Sequence, residues 1–312
     1  MPGIKGKVVV TFSVLFCSIA AEAGPVSLPP VGLPPVNLGD TSFQDGIANP
    51  GWLLEETINY YEASQFKDAQ GGTIPGSNEL TTISAVTHLA YISKLRLLGG
   101  YFGAEVLLPL VDADLKLSSQ PRNRARGVGD LIVSPFILQW NDHKLFGMPY
   151  FHRFDIALSL PTGQYDAKRA LNAGNNIVSL NPYYAFTILP ADKVEVSARL
   201  HYLWNSENDN PFAGLGASSI QPGQAFHANV AASYEVITNL SIGVNGYALQ
   251  QFTDDKVNGR KLADSEERVF GVGPGLVFNT DKFWIYLNSY FEIGAENRPE
   301  GIKITLRISK VF

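Results

Sequence analysis

Apolar and polar side chains alternate with a period of two residues along most of the chain after residue 51. The clearest stretch is 193–205, in which the apolar side chains share one parity: Val194, Val196, Ala198, Leu200, Tyr202 and Trp204. Polar and charged side chains occupy the other parity, at Glu195, Ser197, Arg199, His201 and Asn205. The last residues, 301–312, repeat the alternation and end on Phe312. A period of two indicates β-strands with one apolar and one polar face.

The alternation predicts an all-β protein of about twelve strands. No amphipathic helical pattern lasts longer than about two turns. The predicted strands are 52–63, 80–92, 95–109, 128–140, 150–162, 176–189, 193–205, 224–236, 240–253, 268–279, 283–295 and 301–312. The first, second and fourth of these alternate poorly, so that the sequence is compatible with about ten to fourteen strands.

The lengths of the strands and of their connections indicate a membrane barrel. Strands of soluble proteins average about 5–6 residues, whereas a tilted strand that spans a membrane needs about 9–11. Nearly all the predicted strands exceed the longer figure. Odd-numbered connections are long and even-numbered ones are short, except for the brief return at 296–301, and this asymmetry is typical of outer-membrane barrels. We therefore predict an antiparallel transmembrane β-barrel over residues 50–312.

The two faces of the strands then have distinct environments. Only a closed barrel lets strands pair every backbone polar group inside hydrocarbon, so the apolar parity is predicted to face lipid and the polar parity the lumen. A Lys or Arg on the lipid face would cost about 2–4 kcal/mol at the midplane, and the charged residues lie mostly on the polar parity or near strand ends. Aromatic residues near strand ends fit the girdles at the two membrane interfaces: Trp140, Tyr150, Tyr202, Trp204, Phe283 and Trp284.

The residues before the barrel fall into two zones. Residues 1–23 combine Lys5 and Lys7, an apolar core and a small-x-small site ending at Ala23, which predicts a secretory signal peptide rather than a retained anchor. Cys17 lies in this zone, so the mature chain is expected to have no disulfide. Residues 24–49 contain Leu-Pro-Pro-Val twice, which disfavours a central strand. They are interpreted as a flexible leader, a short plug or a periplasmic tether.

The end of the chain indicates where the barrel is assembled. A terminal aromatic residue after an alternating strand resembles the assembly signal of bacterial outer-membrane proteins, which would engage the barrel-assembly machinery through Phe312. Lys310 stands where a second aromatic residue is usual. Together with the signal peptide, this predicts a location in the bacterial outer membrane, in contact with its lipid and lipopolysaccharide.

Composition and motifs exclude several other functions. The formal net charge is −5, and the chain has no basic stripe suited to nucleic acid. Neither G-x-S-x-G nor H-E-x-x-H is present, and an outer-membrane acyl hydrolase would need a Ser-His pair on the lipid side, whereas His201 and His227 have the polar parity. We therefore expect no enzyme and no cofactor. The acidic loop residues lack EF-hand spacing, so no metal site is assigned: Asp112, Asp114, Asp209, Asp254 and Asp255.

Several stretches, in order and spacing, resemble the family named for the meta-pathway of phenol degradation. They are GGYFGAEVLLPL (99–110), GVGDL (127–131), LPTGQYD (160–166), NPYYAFTIL (181–189), GYALQQFTDD (246–255), GVGPGLVF (271–278) and ENRPEG (296–301). The resemblance implies an outer-membrane barrel for passive uptake of small hydrophobic or aromatic compounds. The alternative is a structural or lipopolysaccharide-contacting barrel whose lumen is plugged. The resemblance implies no particular site residues.

Candidate site residues follow from parity alone. Aromatic side chains predicted to line the lumen and stack on an apolar solute are Trp284, Tyr286, Tyr290, Tyr183 and Tyr247, unless they pack against an inward-folded N-terminus. Charged and imidazole side chains on the same parity are Glu195, Arg199, His201, His227, Glu292 and Arg307, which could form cross-strand ion pairs or a selectivity lining. Arg122, Arg124 and Arg126 lie in a predicted outside loop, where they could bind lipopolysaccharide phosphates or only water.

The glycines at 271, 273 and 275 alternate inside one predicted strand. No helix follows them, so they are not a dinucleotide-binding loop. We interpret them as sites where the barrel wall bends or where a plug approaches closely.

Overall fold

The computed structural model describes residues 31–118, 121–280 and 282–312, and the predicted signal peptide lies outside them. The strands, in chain order, are β1 (Gly51–Phe66), β2 (Glu79–Leu97), β3 (Gly100–Lys116), β4 (Asn123–Val128), β5 (Leu131–Leu145), β6 (Met148–Leu160), β7 (Ser179–Ala191), β8 (Val194–Asn205), β9 (Ile220–Gln221), β10 (Ala225–Ile237), β11 (Leu240–Gln251), β12 (Asp255–Val257), β13 (Arg260–Leu262), β14 (Arg268–Asn279), β15 (Trp284–Glu296) and β16 (Pro299–Val311). A 3₁₀ turn spans Ala213–Leu215. The described residues include no helix that is long and apolar enough to cross a membrane.

Twelve of these strands form one closed antiparallel barrel, which confirms the predicted fold class. Each barrel strand pairs with its neighbours along the chain, and β1 pairs with β16 from Leu53–Val311 to Phe66–Pro299. β4 pairs with the C-terminal part of β3, from Leu110–Val128 to Leu115–Asn123. β9, β12 and β13 form a small separate sheet in the loops. Closure leaves no unpaired edge strand, as hydrocarbon requires.

Loop length alternates between the two ends of the barrel as the sequence predicted. One end has the short turns that follow β2, β5, β7, β10 and β14, and the other has the long loops, except for the two-residue return between β15 and β16. The predicted third strand, 95–109, was wrong at both ends. β2 runs on to Leu97, and Leu98 and Gly99 make the turn with φ angles of 51° and 80°. The alternation of apolar and polar residues does not reveal where a turn with positive φ angles interrupts the chain.

The outer surface of the barrel is a continuous apolar band. Exposed side chains on it include Leu200, Val230, Val244, Leu287 and Ile304. Glu56 is a charged side chain on this band near mid-strand, where it accepts a hydrogen bond from Thr87. Such an exterior would be costly in water and is stable in hydrocarbon, so the protein is a membrane-spanning barrel of the bacterial outer membrane.

A charge placed on this band should destabilise the barrel according to its depth. Val230 is 50% exposed near the middle of β10, and Ile237 is 62% exposed at its short-turn end. We expect Val230→Arg to lower the free energy of unfolding in lipid bilayers by about 2–4 kcal/mol and Ile237→Arg by about 0–1 kcal/mol. Guanidine titration of the bilayer-inserted protein measures both values. Equal effects of the two substitutions would contradict the assigned depth.

Candidate functional site

Residues 31–50 lie inside the barrel and run along its whole length. Near the long-loop end, the backbone N–H of Leu33 donates to Glu267 Oε1 at 2.7 Å. Near the short-turn end, Asn141 Nδ2 donates to the carbonyl of Ala48 at 2.6 Å. We call residues 31–50 the luminal segment. Because it joins β1 at the short-turn end, it rises from there through the lumen towards the long loops.

Glycines allow close contacts between aromatic side chains and the backbone, both in the luminal segment and in the wall. Gly39 has φ +80°, and a Cβ built on it would lie 2.6 Å from Cζ of Tyr290. A Cβ on Gly271 would lie 2.4 Å from the same atom of Tyr247. Phe43 is fully buried against Val277 and Tyr286. At the glycines of β14, Tyr247 approaches Gly271, while Asn245, Asn288 and then Phe43 approach Gly275.

The strongest anchor of the luminal segment is a buried ion pair. The guanidinium of Arg199 donates two hydrogen bonds to the carboxylate of Asp45, one of them from Nε at 2.9 Å. The same guanidinium lies 4.2 Å from the centroid of the Tyr183 ring. Both charges are buried, so removal of either one would leave the other unpaired in the interior.

Further hydrogen bonds hold the backbone on both sides of this ion pair. Gln44 N–H donates to Glu195 Oε1 at 2.8 Å, and Gly46 N–H donates to Thr187 Oγ1 at 2.9 Å. Higher in the lumen, Lys303 Nζ contacts Asp40 Oδ1 at 2.5 Å and the Leu38 carbonyl at 2.6 Å. These partners lie on β7, β8 and β16, on opposite sides of the lumen.

The predicted lumen aromatics face the interior but are covered by the luminal segment. Tyr290 donates to the Gly39 carbonyl at 2.8 Å, and its ring lies 5.0 Å from that of Tyr247. Tyr286 packs on Phe43. The guanidinium carbon of Arg307 lies 3.8 Å from the centroid of the Tyr286 ring. Trp284 is half-buried against the same cluster. These rings therefore contact protein in this conformation.

The predicted charged candidates also have partners within the barrel. Glu292 accepts hydrogen bonds from Tyr61 at 2.7 Å and from Tyr247 at 2.8 Å. Glu195 accepts from Ser233 at 2.7 Å as well as from the luminal segment. Arg307 lies 3.8 Å from Glu55. The arrangement is a set of cross-strand and strand-to-segment pairs.

His201 and His227 form a stacked pair with spare hydrogen-bonding capacity. Their rings lie 4.0 Å apart at an interplanar angle of 12°. Asn181 Oδ1 lies 3.2 Å from His201 Nδ1 and 3.2 Å from His227 Nε2. The other ring nitrogens, His201 Nε2 and His227 Nδ1, are buried and have no hydrogen-bond partner among the described residues.

An apolar pocket of about 580 Å³ lies in the wall beside these two histidines. Its outward-facing rim carries Phe154, Tyr184, Leu200, Tyr202, Phe226 and Phe270, and Pro182, Ala228, Ala248 and Gln250 complete that side. Its remaining lining residues have lumen-facing side chains: Tyr183, His201, His227 and Leu249. The pocket lies in the half of the barrel nearer the long loops.

Sequence reasoning did not find this pocket. It depends on two small residues, Ala228 and Ala248, that are paired directly across β10 and β11 among larger side chains. Both alanines have the outward parity of their strands, but only the register of the strands places them together.

Sequence reasoning also missed a buried cluster in which His88, on the poorly alternating β2, contacts two glutamates of the neighbouring strands. His88 Nε2 lies 3.0 Å from Glu105 Oε2, and its Nδ1 lies 3.5 Å from Glu55 Oε1. Nearby Asp155 is fully buried, and neither of its carboxylate oxygens has a partner among the described residues. The described residues contain no group of three or more His, Cys, Asp or Glu side chains placed to hold a metal ion.

The predicted loop arginines lie on the outward face of the β3–β4 extension, above the apolar band. Arg122 Nε and Arg124 Nε contact the two carboxylate oxygens of Asp114 at 2.6 Å and 2.5 Å. Arg126 Nε lies 3.8 Å from Asp112. The arginine side chains are largely exposed.

Asp255 is a buried carboxyl group in the long loops, outside the membrane-spanning strands. Its Oδ1 accepts hydrogen bonds from Gly223 N–H and Gln251 Nε2, each at 2.8 Å. Its Oδ2 has no partner among the described residues. Burial, reinforced by the nearby Glu267 and Glu266, raises the pKa of Asp255 to about 7.

Comparisons with known proteins agree with this architecture. Residues 63–308 match the family described as "Putative MetA-pathway of phenol degradation". The fold is similar to that of an outer membrane channel from Pseudomonas putida F1, with a TM-score of 0.76 at 18% identity over 89% of this chain and 100% of the other. It is also similar to the beta domain of the Bordetella autotransporter Brka, with a TM-score of 0.51 at 11% identity over 85% of this chain and 100% of the other. No curated protein is significantly similar in sequence.

Loss of the buried ion pair should loosen the luminal segment without opening the barrel. Asp45→Asn leaves the Arg199 guanidinium buried without its counter-charge, which costs about 3–5 kcal/mol. We expect amide hydrogen exchange of residues 39–46 to accelerate strongly, while the amides of β10 and β11 exchange as in the wild type. Asp40→Asn is the matched control, because the Lys303 pair is more exposed, and its effect should be smaller. Unchanged protection in Asp45→Asn would contradict the anchor.

The raised pKa of Asp255 predicts a pH dependence of the loops. A folded-state pKa above the ordinary value of 3.8 means that the folded loop favours the protonated carboxyl, so its stability is highest at low pH and falls as the pH rises towards about 7. The protection of the Gly223 and Asp255 amides, corrected for intrinsic exchange, should fall by up to about tenfold per pH unit between about 5 and 7. Asp255→Asn should abolish this dependence, and a dependence that persisted in the variant would assign it to another group.

Proposed function

The chain belongs to the family of the MetA-pathway of phenol degradation, and we propose that it is an outer-membrane channel for passive uptake of small hydrophobic or aromatic compounds. The observation that carries the proposal is the apolar pocket of about 580 Å³ in the wall. This volume lies within the range of about 300–1,000 Å³ of small-molecule sites, and a cavity of about 150 Å³ holds benzene. The rings on its rim offer stacking to an aromatic solute.

Uptake of this kind needs no energy source in the barrel. A solute that binds weakly at the aromatic rim and leaves again follows its own concentration gradient. The polar sugar layer of lipopolysaccharide slows apolar solutes, so a protein path into the hydrocarbon or the lumen accelerates their transfer. The similar structure from Pseudomonas putida F1 is an outer membrane channel, which supports this role.

Other components of the proposal concern assembly and location. The signal peptide, residues 1–23, would be removed after export. Phe312 would engage the barrel-assembly machinery, and its backbone N–H, which donates to the Trp52 carbonyl at 2.9 Å, then closes the last strand on the first. We assign the protein no catalytic activity, because the sequence contains neither G-x-S-x-G nor H-E-x-x-H.

A specific observation favours a second candidate function. The luminal segment traverses the lumen and covers Tyr290 and Tyr247, so the axis of the barrel is filled in this conformation. A structural barrel that contacts lipopolysaccharide through Arg122, Arg124 and Arg126 would have this form. The two functions differ in whether solutes cross faster with the protein than without it.

The test is solute transfer into vesicles whose outer leaflet is lipopolysaccharide. We expect the wild type to accelerate transfer of toluene and phenol over empty vesicles. Ala228→Trp, which fills the pocket, should slow this transfer by at least about fivefold, since a bulky side chain occupies the stacking surface. Ala232→Trp places the same side chain on the same face of β10, outside the pocket, and is the matched control.

The outcomes separate the two candidate functions. Transfer no faster than in empty vesicles, with a barrel that still shows heat-modifiable migration, would overturn the channel and leave the structural barrel. Transfer that Ala228→Trp and Ala232→Trp slow equally would overturn the pocket as the solute site.

A further inference from the structure

The lipid-facing side of β1 carries a carboxylate between two markers of the membrane interfaces. Outward side chains of β1 occupy every second position from Trp52 to Glu62, and Glu56 is one of them. Trp52 marks the short-turn interface, where its ring lies 4.7 Å from that of Tyr91. Glu62 marks the long-loop interface, where it accepts a hydrogen bond from Tyr60 at 2.7 Å. Glu56 lies four residues from the first marker and six from the second.

This position places Glu56 near the midplane of the membrane. A strand rises about 3.3 Å per residue, and a tilt of about 40° leaves roughly 2.5 Å of this rise along the membrane normal. The stretch from Trp52 to Glu62 therefore spans roughly 25 Å, which is the height of the apolar band of an outer-membrane barrel. Glu56 then lies roughly 10 Å from the short-turn interface. At that depth hydrocarbon separates its carboxylate from water and from headgroups.

The barrel itself satisfies this carboxylate only in part. Thr87 Oγ1 donates to Glu56 Oε2 at 2.8 Å. The residues paired with Glu56 in the two ladders are Thr87 on β2 and Ile308 on β16, so no cation lies beside it in the sheet. An ionisable group inside a membrane is costly unless another group pairs with it. The position of Glu56 therefore indicates that this face of the barrel contacts another protein surface.

The surface beside Glu56 is suited to a close approach. Two successive outward positions of β2, Ala85 and Thr87, carry small side chains. Their cross-strand neighbours on the same face are larger and exposed, namely Ile58 on β1 and Leu108 and Leu110 on β3. Small side chains at an interface within the membrane let two backbones come close together. We call Glu56, Ala85 and Thr87 the polar face.

We propose that the polar face is the interface of a twofold-symmetric dimer of two copies of this chain. A twofold axis beside Glu56 brings the same carboxyl group of both copies together. Two carboxyl groups that share protons donate and accept hydrogen bonds reciprocally, and the two Thr87 hydroxyls complete the set. The pair is self-complementary and needs no cation, which favours a second copy as the occupant. Neither the lumen nor the apolar pocket takes part, so the inference goes beyond the proposed channel function.

The test is association of the purified protein in lipid vesicles, with dimers counted by single-molecule photobleaching over a range of protein-to-lipid ratios. We expect the wild type to dimerise and Glu56→Leu to weaken association at least about fivefold, because the hydrogen-bonded pair is lost. Glu56→Gln should associate within about threefold of the wild type, because a carboxamide carries its own donor and acceptor. Glu62→Leu is the matched control, since it removes a carboxylate from the same face of β1 at the interface with water, and it should leave association unchanged.

The variants keep the proposal open to refutation. Glu56→Leu replaces a carboxylate in hydrocarbon by an apolar side chain, so it should fold at least as well as the wild type, and heat-modifiable migration checks this. A wild type that is monomeric at every ratio would overturn the dimer. Dimers that Glu56→Leu does not weaken more than Glu62→Leu would overturn the polar face as their interface. Ala85→Cys that crosslinks in native membranes only to a different protein would overturn the second copy as the occupant.

Discussion

The structure depends on one constraint, which is that backbone N–H and C=O groups in hydrocarbon must be paired within the protein. Twelve strands meet this constraint by closing on themselves, with the last strand paired to the first along its length. Closure also fixes the orientation of every side chain, because successive residues then face either lipid or lumen. The apolar outer band and the polar interior therefore have the same cause.

The interior of a twelve-stranded barrel carries more polar groups than its own strands can pair, and the luminal segment supplies the missing partners. Arg199, Lys303 and Glu195 each bind an atom of residues 38–45. A buried ion pair of this kind adds little net stability but makes the loss of one partner costly. The segment is therefore placed specifically, and the lumen is organised around it.

The sequence predicted the barrel and its approximately twelve strands, and it assigned the two faces of the clearly alternating strands, because a period of two is a local property. It did not predict the contacts of Asp45 or Phe43, which join residues far apart in the chain. The pocket was equally hidden, since Ala228 meets Ala248 only in one register. The turn at Leu98–Gly99 depends on positive φ angles, which apolar alternation does not encode.

The prolines within the barrel strands conflict with the requirement that every backbone group be paired. A missing N–H within hydrocarbon leaves a carbonyl without its partner, and such a defect is costly unless the surroundings compensate for it. At Pro182 the surroundings are aromatic side chains outside and Asn181 with two histidines inside. At Pro274 the hydroxyl of Ser289 donates to the Pro274 carbonyl at 3.3 Å across the gap. Pro274 is thus bridged by a side chain across the strand pair, whereas Pro182 lies in the lining of the apolar pocket.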